Sequence, residues 1–143
     1  MAPFRHRSFA AVLLVAMGLV AFDAQCQMKN LNATAVEIAQ LPKFCWAQMG
    51  VPNAKGPEYG IPPGCGPGMN HYCPGLVHLM RAKSAGSKKK AVPFLRSAEG
   101  EARYSEGALK DFPSCPILGH VEATRAEIQN LLTIYGVPRS GTR

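Results

Sequence analysis

Apolar residues recur every three or four positions through three stretches of this chain, the spacing of a helix that buries one face. The first stretch predicts a helix over residues 72–83, with Tyr72, Leu76, Leu79 and Met80 on one side. The second predicts a helix over 94–112, striped by Leu95, Ala98, Ala102, Ser105, Leu109 and Phe112. Pro93 suits its first turn and Pro113 ends it. The third predicts a helix over 117–135. There Val121, Ile128 and Tyr135 repeat every seven, Ile117, Leu131 and Leu132 widen the same face, and Gly136 and Pro138 stop it. Residues 32–40 and 42–49 read as two shorter helical pieces, and no stretch reads as a strand. Small residues at Ala98, Ala102, Ser105 and Ala108 let neighbouring backbones come close, so the middle helix is expected between the other two. Its connections are short enough for antiparallel neighbours. The pattern therefore predicts an all-α fold, a small antiparallel hairpin continued into a third helix.

Two polar stretches interrupt the pattern. Residues 50–69 form a loop, because 11 of the 19 residues from Gly50 to Gly68 are Gly or Pro and exclude a long helix or a central strand. Residues 84–91 read as a Lys-rich linker, a solvated and mobile loop carrying Lys88, Lys89 and Lys90.

The N-terminus follows a different logic. Arg5 and Arg7 precede an unbroken run from Phe9 to Phe22 of apolar residues and one glycine, the arrangement of a secretory signal. The run is 14 residues long, whereas a spanning helix needs roughly 20. Cleavage after Cys26 puts small residues, Ala24 and Cys26, at the recognised positions, whereas cleavage after Ala24 puts bulky Phe22 three back. Lipid on Cys26 would have Gln25 directly before it. Residues 1–26 are thus expected to be a signal peptide and 27–143 a single helical domain, long enough for one core. Export implies an oxidising periplasmic or extracellular setting. Cys45, Cys65, Cys73 and Cys115 are then expected to form two disulfides, with three pairings open and Cys115 joined to a cysteine before Ala91. One disulfide with two free buried thiols is the alternative.

The formal charge is +7, and losing Arg5, Arg7 and Asp23 with the leader lowers it by one. The excess is uneven. From Lys29 to Lys90 eight basic residues face only Glu37 and Glu58, while from Ala91 onward six face six acids. A nucleic-acid partner does not suit an exported chain, so the positive field points to an anionic envelope component, an acidic protein or a peripheral membrane contact.

One internal repeat stands out. Cys73-Pro-Gly-Leu-Val-His78 and Cys115-Pro-Ile-Leu-Gly-His120 share Cys, Pro, Leu and His at the same spacing, each at a predicted helix start. With Ala98, Tyr104, Ala108, Leu109 and Pro113 between them, residues 72–135 resemble a tetratricopeptide-type (TPR) helical repeat, although its Trp-Leu-Gly-Tyr signature is absent. The resemblance implies a concave helical surface that binds a partner. The block Asn70 to Leu76 is also similar to small exported bacterial proteins of unknown role.

The same repeat raises a metal site. Cys73, His78, Cys115 and His120 are a two-Cys, two-His set suited to zinc or copper. Helical geometry opposes it: residues five apart are rotated by about 140°, whereas ligands on one face sit three or four apart. Oxidation would also remove the thiolates. Met69, His71 and His78 offer a softer copper set, but Met beside a Gly-Pro loop is more simply packing. No Cys-x-x-Cys, Gly-x-Ser-x-Gly or His-Glu-x-x-His motif is present, so no catalytic residue is assigned. Trp46, with Phe44, reads as a core anchor.

The sequence therefore points to an exported, disulfide-stapled helical binding or scaffold module, with a small metal-binding protein as the alternative. N-terminal sequencing of the exported protein should find a chain beginning near Gln27; a retained Met1 or a lipidated Cys26 would contradict that.

Overall fold

The computed structural model describes residues 31–138, and every regular element among them is helical. Four α-helices follow one another: α1, Ala35–Gln40; α2, Met69–Ser84; α3, Lys88–Leu109; and α4, Leu118–Ile134. Short 3₁₀ turns form at Lys43–Cys45 and Pro57–Tyr59. The signal peptide expected over residues 1–26, with its expected cleavage site and Cys26, lies outside the described residues.

The short α1 starts on a reciprocal cap. The Thr34 hydroxyl accepts from the Glu37 N–H at 3.2 Å, and the Thr34 N–H donates to the Glu37 carboxylate at 2.7 Å. The three longer helices build the body. Leu79 and Ala82 near the end of α2, Leu95 and Ala98 near the start of α3, and Ile128 and Leu132 near the end of α4 share one buried cluster. Met69 and Tyr72 of α2, Leu109 of α3 and Val121 of α4 share another at the opposite end. The helices therefore run down, up and down, with α3 between α2 and α4. Its buried face is largely small: Ala98, Ala102 and Ser105 are buried as the sequence predicts, Ala91 joins them, and Ala108 is only part-buried.

A third cluster lies on the outer side of α2. Leu41, Cys45, Cys73 and Val77 are buried there, with Leu31, Trp46, Met49 and Met80 packed around them. Trp46 is only half-buried: its indole N–H donates to the Leu41 carbonyl at 3.1 Å and its ring lies 5.8 Å from that of Tyr59. It anchors the loop after it as well as the core.

Helix starts differ from the sequence expectation in an informative way. α2 begins at Met69 rather than 72, and α3 at Lys88 rather than 94. Burial supplies the reason. Met69 and Ala91 have no exposed surface, so packing carries each helix back past its proline. Pro74 and Pro93 consequently sit in the second turn, where they cannot donate to the carbonyls of Asn70 and Lys89. The Lys-rich linker expected over 84–91 is therefore corrected: Ala85 to Ser87 connect the helices, and Lys88, Lys89 and Lys90 are the first turn of α3. The two Cys-Pro units also differ in place, since Cys73 lies inside α2 whereas Cys115 precedes α4.

The cysteines pair as Cys45–Cys73 and Cys65–Cys115, with Cα separations of 5.6 and 4.5 Å. The first fastens the N-terminal segment to α2. The second ties the Gly/Pro loop to the approach to α4. Close packing holds the end of that loop as well. A side chain at Gly66 would collide with the Phe112 ring, and one at Gly68 with Ala108, while the Gly68 carbonyl accepts from the buried Ser105 hydroxyl at 3.0 Å.

Non-reducing peptide mapping should recover both pairs. Replacing Cys65 and Cys115 together with Ser should cost about 3–4 kcal/mol, the entropy released when a loop of this length opens. A loss below about 1 kcal/mol in chemical denaturation would contradict a stapling role.

Candidate functional site

The alternating helix directions bring the last turns of α2, the first turns of α3 and the last turns of α4 to one end of the molecule, and the Glu37–Arg81 pair holds α1 beside the last turn of α2. Over residues 31–38, 79–98 and 127–138, which build this end, the acids are Glu37 and Glu127, against Arg81, Lys83, Lys88, Lys89, Lys90 and Arg96.

The two acids are both engaged. Arg81 holds Glu37 through two contacts, Nε to Oε1 at 2.6 Å and Nη2 to Oε2 at 3.1 Å, and Nη2 also donates to the Asn32 carbonyl at 3.1 Å. This bidentate pair docks α1 onto α2. The hydrogen bond from Arg81 pulls the Glu37 carboxyl down to about 2, helped by the Thr34 cap and opposed by burial. Glu127 of α4 meets Lys83 of α2 at 2.5 Å with both side chains about half exposed, so that pair contributes little.

Lys88, Lys89 and Lys90 are different. All three are exposed, and among the described residues none has an ion-pair partner. No acid lies in the first turn of α3. Cations are disfavoured at a helix N-terminus by up to about 1 kcal/mol each, because the unpaired N–H groups there already carry positive potential. The Lys88 ammonium lies close to the Gly136 turn, 3.8 Å from where a side chain at that glycine would begin, just past the C-terminus of α4, where a cation is welcome. Lys89 and Lys90 have no such compensation. Two branched apolar side chains occupy the same end, Val36 of α1 at 68% exposed and Ile134 of α4 at 66%.

The metal set does not assemble. Cys73 and Cys115 lie in separate disulfides, so neither offers a thiolate. His78 packs near Phe94, its Nδ1 buried without a partner and its pKa lowered first by burial and then by Arg81. His120 is exposed at the start of α4, and its carbonyl lies 3.4 Å from the Tyr72 hydroxyl. Met69 is a core residue. Among the described residues no group of three His, Cys, Asp or Glu side chains gathers to hold an ion.

One polar cluster escaped sequence reasoning. His71 of α2 and Glu101 of α3 meet at 2.5 Å, and the Tyr104 ring lies 4.0 Å from that of His71. A shallow depression beside them is lined by Gly100, Arg103, Tyr104, Gly107 and Ala108. The carboxylate fixes the orientation of the imidazole, but the cluster gains no activated nucleophile. Ser105 is buried and donates to Gly68, and the four described cysteines are bonded. Thirty positions separate His71 from Glu101, and only the α2–α3 packing unites them.

Comparison with protein-family models, with curated proteins and with solved structures finds no match for this chain. The basic end with its uncompensated lysines is accordingly the candidate site on its own physical grounds.

Glu37 gives a pH test of how that end is held together. Its carboxyl is depressed, so its contribution is complete above the ordinary value of 4.5 and lost as pH falls towards about 2. Glu37→Gln keeps an N-terminal cap but removes the charge. It should lower stability by about 1–3 kcal/mol at pH 7. Chemical denaturation across pH should show that difference fading between 4.5 and 2.

Proposed function

We propose that this protein is an exported helical binding module that engages an anionic partner of the cell envelope through its basic end. The carrying observation is the position of Lys88, Lys89 and Lys90: exposed, unpaired among the described residues, and set on a helix terminus of the same sign. Lys89 and Lys90, which no helix C-terminus compensates, oppose the stability of α3, and an anion bound among the lysines relieves that opposition. Neutralisation of Glu37 and Glu127 by Arg81 and Lys83 leaves the field at this end positive. Paired cysteines agree with an oxidising compartment. A periplasmic or secreted location is part of this proposal and accords with the leader-like N-terminus. The α2–α3–α4 body is the scaffold that presents the lysines, and no specific observation favours zinc or copper binding.

Screening separates this reading from a merely soluble surface. Binding to envelope extract or to a soluble polyanion such as heparin should fall steeply between about 0.1 M and 1 M salt, as the Debye length shrinks from about 10 Å to about 3 Å. The triple variant Lys88→Ser, Lys89→Ser, Lys90→Ser should bind at least tenfold more weakly and keep its helical circular dichroism. Salt-independent binding, or unchanged affinity in the triple variant, would overturn the proposal.

A further inference from the structure

We infer that the anionic partner is a lipid bilayer surface, which this end of the molecule meets with Ile134 and Val36 directed into the headgroup boundary; the inference rests on the anion-binding reading above. Two independent features of one end of the molecule carry it. The first is charge: Lys88, Lys89 and Lys90 stand free of ion pairs among the described residues, and both acids at this end are already engaged, Glu37 by Arg81 and Glu127 by Lys83. An anionic surface therefore meets no uncompensated carboxylate among these elements. The second is exposed apolar area. Among the described residues Val36 and Ile134 are the two most exposed of the large hydrophobic side chains, at 68% and 66%, and both belong to elements gathered at the lysine end.

The topology puts the features together. A side chain added at Gly136 would come within 3.8 Å of the Lys88 ammonium, so the turn that follows Ile134 borders the lysine turn of α3. Val36 precedes Glu37, which Arg81 clamps to the last turn of α2. A soluble polyanion rewards the lysines but leaves Ile134 and Val36 in water. A bilayer rewards both, because phosphate and carboxylate headgroups sit directly above an apolar layer and lysine stems extend across that boundary. The contact is peripheral: no helix among the described residues is long and apolar enough to cross a membrane.

The test uses the oxidised protein recovered from an exporting host, at 0.1 M salt, with sedimentation on phosphatidylcholine vesicles with and without 30 mol% phosphatidylglycerol. Heparin binding is measured in parallel. The parent should bind the anionic vesicles at least tenfold more tightly than neutral ones. Ile134→Ser should weaken vesicle binding about fivefold or more and leave heparin binding unchanged, whereas the triple lysine variant should weaken both. Amide exchange with vesicles present should slow over residues 84–91 and 130–138, a readout that a membrane-seeking N-terminal run would not reproduce. Heparin binding without selective binding to anionic vesicles would overturn the bilayer and keep the anion reading. Vesicle binding indifferent to Ile134→Ser, or protection confined to other segments, would overturn the proposed face. Unchanged binding of the triple variant to both probes would sink both readings together.

Discussion

Close approach of α3 to its neighbours is the constraint on which the fold depends. Gly75 lies so near α3 that a methyl there would stand 3.1 Å from the Glu101 Cβ, and Gly68 is pressed onto Ala108 more tightly still. With Ala98, Ala102 and Ser105 buried on the facing surface, the helices approach nearly backbone to backbone. Packing at that distance gives dense dispersion contact but little apolar area per residue. The larger side chains are correspondingly displaced to the two ends, where Leu95, Ile128 and Leu132 form one cluster and Met69, Leu109 and Val121 the other.

That spacing also determines what covalent and polar bonds must do. A thin central layer leaves α2 with an outer face to cover, and the N-terminal segment covers it, held by Cys45–Cys73 and the Arg81–Glu37 pair. On the other side Arg125 of α4 pairs with Glu106 and lies 3.8 Å from the nearly buried Glu99, bracing α4 against α3. The buried Ser105 hydroxyl satisfies the Gly68 carbonyl, which close packing removes from water. Apart from that buried hydroxyl, the ion pairs of these helices sit along the margins of their interfaces.

Elements whose information is local were legible in the sequence. The stripes of α3 and α4 lie in consecutive residues, so their periodicity alone marks the helices, and the small residues Ala98, Ala102 and Ser105 mark the middle position of α3. Its first turn was not legible, because Lys88 to Lys90 resemble a solvated run and Pro93 resembles a start; only burial of Ala91 against the neighbouring helices reveals the extra turns. The four paired cysteines were evident from composition, but composition is silent on which of three pairings holds. Lys88, Lys89 and Lys90 were visible as charge, whereas the exposure of Ile134 and Val36 depends on how distant elements pack. The His71–Glu101 contact is of the same kind, joining two helices that no local pattern relates.

The order of the cysteines along the chain has a consequence for biogenesis. Cys45 pairs past Cys65 to Cys73, and Cys65 pairs past Cys73 to Cys115, so the two covalent rings overlap. A chain emerging N-terminus first into an oxidant presents Cys45 and Cys65 together before either native partner has appeared. Joining neighbours as they emerge gives Cys45–Cys65 and Cys73–Cys115, which is the wrong molecule. The native rings require either that α2 forms and brings Cys73 to Cys45 before oxidation, or that thiolate exchange later reshuffles the first bond made. Where oxidation outruns the formation of α2, maturation of this small domain depends on thiol exchange, and a host that oxidises quickly but isomerises poorly would accumulate a misbonded isomer of identical mass.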